Sequence, residues 1–363
     1  MQLVHRLGGA LAALVVVASA APARGDGELT ARGMYYKEKA TRVIQPMLDA
    51  TFEAGERGSG DAHFLVDAIT SASAATGASG VAFTERRYEA GLGYLRQLDR
   101  LRLGGRLRYS TEPDYQSMYG ALRGELELFD KNLTLSLTLG AGNDTITNAG
   151  APPMAQRIEG KLTTLLGSVA ASQLVSEHGV VGLSYDLIRL DGYQHNPYRG
   201  VIAGATIAGE RHPDARTRHA VAASIKWFFP SAATTVIGQY RFYADTWDLH
   251  AHTPEVRVVK DVGEWITMGL RYRYHRQDAA EFYRETYPSA DPMVAPFISD
   301  DIKLSAFDGH LIGGRFEIAG GAISTVASLE LARLELVTEY VVQHNRFGNA
   351  LVSYVSLVLP FEY

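Results

Sequence analysis

The most constraining feature of this chain is a two-residue alternation of apolar and polar side chains, sustained over stretches of about ten residues. Between Leu98 and Ser110, Leu101, Leu103, Leu107 and Tyr109 share one parity, and Arg100, Arg102, Arg106 and Arg108 the other. Successive strand residues point to opposite faces, so this stretch is a strand with one apolar and one arginine-bearing face. The pattern recurs. Met118, Leu122, Leu126 and Leu128 oppose Arg123, Glu125 and Glu127, and Leu133, Leu135, Leu137 and Leu139 alternate with Thr134, Ser136 and Thr138. Val221, Ala223, Ile225, Trp227 and Phe229 alternate with Ser224 and Lys226. Ile266, Met268, Leu270, Tyr272 and Tyr274 alternate with Thr267, Arg271 and Arg273, and Ile312, Phe316 and Ile318 with Arg315 and Glu317.

Strand length and face chemistry together select an architecture. Strands in globular proteins average about 5–6 residues, whereas a tilted strand crossing a bilayer needs about 9–11. A dry sandwich core rejects arginine, and a wet barrel lumen accepts it. The expected fold is therefore all-β: a transmembrane antiparallel β-barrel of about 16 strands, within a range of roughly 14–18. Tyr109, Trp227, Phe229, Phe242, Tyr243 and Trp265 lie towards strand ends, where interfacial aromatic girdles belong. Short turns are expected near residues 97–99, 129–132, 177–179, 230–231, 261–263 and 307–309. Longer loops are expected over 71–81, 145–158, 193–213 and 277–299. Short turns on one rim and long loops on the other give a periplasmic and an extracellular side. Gly320-Gly321 leaves the parity of the last hairpins open, and two periplasmic chain ends require an even strand number.

Composition agrees with this. A mean hydropathy of -0.07 is too polar for a helical membrane protein, but a barrel exposes only alternate residues to lipid. The absence of Cys excludes disulfides, thiolate zinc sites, iron–sulfur clusters, c-type haem attachment and a lipoprotein anchor. A net charge of -5 gives no reason to expect nucleic acid as a partner. His5 and Arg6, the apolar run Leu7 to Val17, and Ala18-Ser19-Ala20 or Ala21-Pro22-Ala23 form a three-part export signal. The expected organisation is a signal peptide over 1–23 and a barrel over 24–363, placed in the outer membrane of a Gram-negative bacterium after cleavage. In the final strand Leu351, Val355, Leu357, Leu359, Phe361 and Tyr363 share a face. An apolar strand ending in an aromatic has the form of a signal for the barrel assembly machinery, with outer-membrane lipid and lipopolysaccharide as the surroundings of the mature barrel.

Several loop-edge motifs carry a resemblance to a known family. They are Tyr35-Tyr36-Lys37-Glu38 with Arg42-Val43-Ile44-Gln45-Pro46, and Val66-Asp67-Ala68-Ile69-Thr70-Ser71-Ala72-Ser73 with Glu85-Arg86-Arg87. Ser110-Thr111-Glu112-Pro113-Asp114-Tyr115-Gln116-Ser117, Asn196-Pro197-Tyr198-Arg199 and Tyr240-Arg241-Phe242-Tyr243-Ala244-Asp245-Thr246-Trp247 extend it over most of the mature chain. Together they resemble a family of bacterial outer-membrane β-barrel proteins that bears only a domain-of-unknown-function label. The resemblance implies the barrel and its location, and brings no activity with it.

The candidate site is the charged inner face. Arg102, Arg106, Arg108, Arg123, Arg241, Arg257, Arg271, Arg273 and Arg315 should point inward, with Glu125, Glu127, Glu255 and Glu317 among them. Such a face either attracts anionic solutes or forms a ladder of mutually neutralising cross-strand pairs. Asn196, Pro197, Tyr198 and Arg199 form a turn that would order a loop against the rim or meet a ligand. His250 and His252 share a strand face with Asp248 nearby, but two ligands do not complete a metal site. Asp291, Asp300, Asp301 and Asn143-Asp144 lack any EF-hand spacing and read as solvated loop carboxylates. There is no G-x-S-x-G elbow. The expectation is a porin-like pore or transporter for small polar or anionic solutes, not an enzyme, without cofactor or metal. The other expectation is a structural barrel partnering a periplasmic or surface redox or export assembly.

Overall fold

A computed structural model describes residues 26–72, 82–148, 157–322 and 330–362. The export signal and Tyr363 lie outside the described residues. The alternating stretches become β1 (Asp26–Lys37), β2 (Thr41–Glu53), β3 (Gly58–Ala72), β4 (Ala82–Leu98), β5 (Leu101–Thr111), β6 (Tyr115–Leu128), β7 (Leu133–Thr147), β8 (Glu159–Ser176) and β9 (Gly179–Gly192). A small hairpin follows, β10 (Gly200–Ala203) and β11 (Thr206–Gly209). The remainder is β12 (Ala215–Phe229), β13 (Thr234–Asp245), β14 (His250–Val262), β15 (Ile266–Gln277), β16 (Phe307–Ala319), β17 (Arg333–Gln343) and β18 (Ala350–Glu362).

All strands except β10 and β11 form one closed antiparallel barrel of 16, each beside its neighbour in sequence, with β12 following β9. The barrel closes where β1 pairs β18, from Asp26↔Glu362 to Lys37↔Leu351. Closure leaves no unpaired edge, which a sheet in hydrocarbon requires. The even strand number puts Asp26 and Glu362 at the same rim. Gly320-Gly321 falls in the connection between β16 and β17, where Gly320–Ala322 form a short 3-10 helix on the rim that carries both ends.

On that rim β4 joins β5 through Asp99 and Arg100 alone, with Asp99 in the left-handed region (φ 57). On the opposite rim the loops after β9 and β15 run over residues 193–214 and 278–306. One expected turn is corrected. Phe307-Asp308-Gly309 opens β16 on the long-loop rim, because Gly309 is held between His275 of β15 and Gln343 of β17.

The two faces differ as the alternation predicts. Leu92, Leu107, Leu122, Leu270 and Ile312 are 60–71% exposed on one face. Register carries this apolar row from strand to strand, as in Leu92↔Leu107 and Leu122↔Leu139. Tyr35, Tyr88, Tyr109, Tyr185, Tyr240, Tyr272 and Tyr340 are exposed on the same face. Tyr243 is a correction: it has the opposite parity to Tyr240 and packs inward against a buried cluster around Trp247.

Candidate functional site

The lumen residues expected from the alternation all lie on the face opposite the apolar row. Register and hydrogen bonding then divide that inner face into two kinds of wall.

The first kind is charged and cross-braced, and most of its arginines meet a carboxylate. On β5 and β6, Arg102 binds Glu127 at 2.7 Å and Glu125 at 3.5 Å, and Arg123 pairs with Glu125. Arg106 reaches Asp61 at 2.8 Å, although β4 lies between β5 and β3. The register explains the reach, since Asp61 and Arg106 both pair with Gly93. A Cβ on Gly93 would run into the Asp61 carboxylate, so the glycine provides the gap through which the two charges meet. One step higher, Arg108 binds Glu89 at 3.1 Å.

The same device appears across the barrel. Arg271 on β15 binds Glu255 on β14 and Glu339 on β17, each at 2.7 Å. Gly313 of β16 lies between Arg271 and Glu339 in register, and a Cβ there would come within 2.9 Å of Glu339 Cγ. Arg257 joins Glu255 at 2.5 Å. Arg315 joins both Glu317 and Glu335 at 2.6 Å. Arg273 faces Glu255 across β14 and β15, and the Arg241 guanidinium lies 5.8 Å from the Tyr243 ring centre. Asp61, Glu335 and Glu339 were not picked out from sequence. For Asp61 and Glu339 the signal was a carboxylate two strands from an arginine with a glycine between, which only register reveals; Glu335 lies on β17, the strand next to Arg315.

The second kind of wall is small and hydroxylic. Thr134↔Ser172↔Gly182↔Ser224↔Gln239 form one inward row and Ser136↔Ala170↔Ser184↔Ala222 the next, across β7, β8, β9, β12 and β13. These side chains border a recess of about 250 Å³. A second recess, of about 300 Å³, lies nearer the long-loop rim between Arg87, Arg108, Tyr115, Tyr119 and Asp144.

The long loops fold together over the mouth beside β12–β15. Val201 and Ala203 of the hairpin bury against Tyr287 and Ile298, and Arg211 and Ile298 exchange backbone hydrogen bonds of 2.9 Å. Trp247, Leu249, Ala280 and Leu304 pack on inward-facing Ala251 and Tyr243, so the cap grips the inner edge of the barrel. Arg216 pairs with Asp245 and sits 4.0 Å from the Trp247 ring centre.

The turn Asn196 to Arg199 serves this cap. The Asn196 N–H donates to Glu210 at 2.9 Å, and Asn196 accepts from the Tyr198 N–H at 2.9 Å. Arg199 bridges Asp301 at 2.6 Å and Glu210 at 3.4 Å. Burial pushes the Glu210 carboxyl up, but His212, Arg199 and the Ser299 hydroxyl outweigh it and hold it at about 2. Burial pulls the Arg199 guanidinium down, and Asp301 and Glu210 more than restore it. Burial and the neighbouring His212 lower His195.

Of the other sequence candidates, His250 and His252 lie on β14, where His252 meets the Tyr240 hydroxyl at 2.5 Å. Asp144 accepts from Tyr115 at 2.5 Å inside the barrel and is not brought to Asp300 or Asp301.

A closed 16-strand barrel with an apolar outer belt and a polar inner face is an outer-membrane type of β-barrel. The chain belongs to the DUF3570 family, described as protein of unknown function, whose model matches residues 79–319. No curated protein matches it by sequence. Among solved structures it is similar to a bacterial polysaccharide outer membrane secretin, at 10% identity and a TM-score of 0.54, covering 93% of this chain and 98% of that one. It is also similar to the outer membrane protein OprD from Pseudomonas aeruginosa, at 9% identity and a TM-score of 0.49, covering 93% and 94%. The first likeness shows the fold.

Proposed function

We propose that this barrel is an outer-membrane pore that passes small polar solutes, with the hydroxylic wall as the path. The observation that carries the reading is the pairing of 16 strands with a row of Ser, Ala and Gly on one side of the lumen. Barrels of about 16–18 strands are too wide for side chains to fill. Small residues over β7, β8, β9 and β12 leave that width open, whereas most arginines of the charged walls are tied to carboxylates. Paired arginines present little net field, so charge selectivity should be weak and neutral polar solutes should pass alongside anions. Export of the chain rests on residues 1–23, with lipid and lipopolysaccharide around the barrel and the assembly machinery reading β18.

The test is swelling of vesicles that hold the refolded protein, in isotonic solutions of small sugars and of organic anions. Uptake of both classes supports the reading, and permeation no faster than in protein-free vesicles rejects it. Sequencing the amino terminus of the membrane-bound protein tests export. A start at residue 21 or 24 is expected, and an unprocessed chain contradicts it.

A further inference from the structure

The outer face of β16 carries a group that neither the pore nor the cap uses. Asp308 and His310 have the same parity as lipid-facing Ile312, and His344 enters from the turn between β17 and β18. His344 Nδ1 lies 2.7 Å from Asp308 Oδ2, and His310 Nε2 lies 4.0 Å from the same oxygen. The His344 N–H donates to the Asp308 carbonyl at 3.0 Å, which fixes the turn against the strand. Among the described residues this is the group of three that joins imidazoles to a carboxylate with ligand atoms all within 4.8 Å; the other such group is all carboxylate.

We propose that Asp308, His310 and His344 form a surface site for a divalent transition-metal ion of the zinc type at the long-loop rim. Two imidazoles and one carboxylate suit Zn²⁺ and its neighbours, whereas Ca²⁺ and Mg²⁺ select oxygen-only shells. His310 is also oriented as metal-bound imidazoles are. Its Nδ1 lies 2.9 Å from the Tyr272 hydroxyl, and its ring leans on Tyr274 with centres 5.1 Å apart. In the tautomer that donates Nδ1–H to Tyr272, the Nε2 lone pair points at Asp308, and such outer contacts tune ligand basicity. All three side chains are at least one-third exposed, so an ion in solvent reaches them and the carboxylate has room to part from His344. Three protein ligands leave the fourth position of a tetrahedral ion open. The other outward histidines show the contrast. His219 and His252 each meet a tyrosine, Tyr185 and Tyr240, with no third ligand among the described residues.

The experiment is Zn²⁺ titration of the full refolded barrel in detergent by calorimetry, after removal of metal with a chelator. Co²⁺ absorption reports the ligand set. One ion per chain is expected, with affinity falling by about tenfold or more in His344→Ala and in Asp308→Asn. His344 sits in an exposed turn, so folding of that variant is checked by the heat-dependent gel shift of the barrel. Tyr272→Phe leaves all three ligands in place and should weaken binding by about tenfold. Equal affinity in wild type, His344→Ala and Asp308→Asn would overturn the proposal. So would binding that disappears in His252→Ala and survives in His344→Ala.

Discussion

The two halves of the lumen use opposite chemistry to solve the same problem. Around β3–β6 and β14–β17 the inner face consists of long charged side chains, braced over glycines. Across β7, β8, β9 and β12 its middle rows are mostly Ser, Thr, Ala and Gly, bordered by Gln239 and Arg241 of β13. A charged wall of this kind holds its arginines with carboxylates, as Arg102, Arg106, Arg271 and Arg315 are held. It also needs gaps, which Gly93 and Gly313 supply at the points where charges reach across an intervening strand. The hydroxylic wall needs neither. Its groups are satisfied by water or by one neighbour, as where Ser168 donates to Asp186 at 2.6 Å. The charged walls are therefore read as scaffold, and the hydroxylic wall as passage.

The largest expected effect comes from filling the passage. Ser184→Trp combined with Ala222→Trp should cut single-channel conductance by at least about half, since pore-lining bulk sets the flow. Arg106→Ala should change it far less. Equal loss in both would erase the distinction between the walls.

Next is the brace. Gly93→Val displaces Asp61 from Arg106 and crowds the inner face, so chemical unfolding should show a loss of about 1–3 kcal/mol. Gly167→Ala, where a Cβ meets nothing within 4 Å, should stay within about 0.5 kcal/mol. A third test unbalances a charged wall. Glu255 accepts from both Arg257 and Arg271 at 2.5 and 2.7 Å. Glu255→Gln should shift the reversal potential toward anions by roughly twofold in permeability ratio at low salt, and the shift should vanish in 1 M salt, where the Debye length is about 3 Å.

The smallest effect concerns the cap. The Glu210 carboxyl is held at about 2 in the fold, below its unfolded value of about 4.3. A depressed carboxylate stabilises above the unfolded value, and that contribution is lost as pH falls through the folded one. Emission from the Trp247 cluster should be steady above about pH 4.5 and should shift to the red between there and about pH 2. Glu210→Gln should abolish that step.

Much of this architecture was legible in the alternation. Lipid on one side and water on the other force a two-residue period, and the period gives strand, face and length together. The inward placement of Arg102, Arg106, Arg271 and Arg315 follows from parity alone. Their partners do not, because Arg106 and Asp61 meet only once β3, β4 and β5 are in register. Asp308-Gly309 misled because that dipeptide favours turns. Gly309 is instead an inward glycine whose Cβ would stand 2.9 Å from the Val342 carbonyl. The cap was legible only in part, in the turn expected to order a loop against the rim. Asn196-Pro197 announces a turn, but nothing local announces that Val201 will bury against Ile298. With 307–309 expected as a turn, the shared face of Asp308 and His310 emerged only with β16, and His344 joins them only through the β16–β17 pairing and the turn that follows.

The absence of native Cys makes the passage directly testable. Single cysteines at Ser184, on the hydroxylic wall, and at Ala121, opposite Arg106 on the charged wall, give two otherwise silent reporters. Current through the refolded variants in a planar bilayer is recorded before and after a charged thiol reagent. Conducting channels that lose most of their current in Ser184→Cys, and little in Ala121→Cys, are the predicted result. Failure to form channels, or equal block at both positions, would contradict the account.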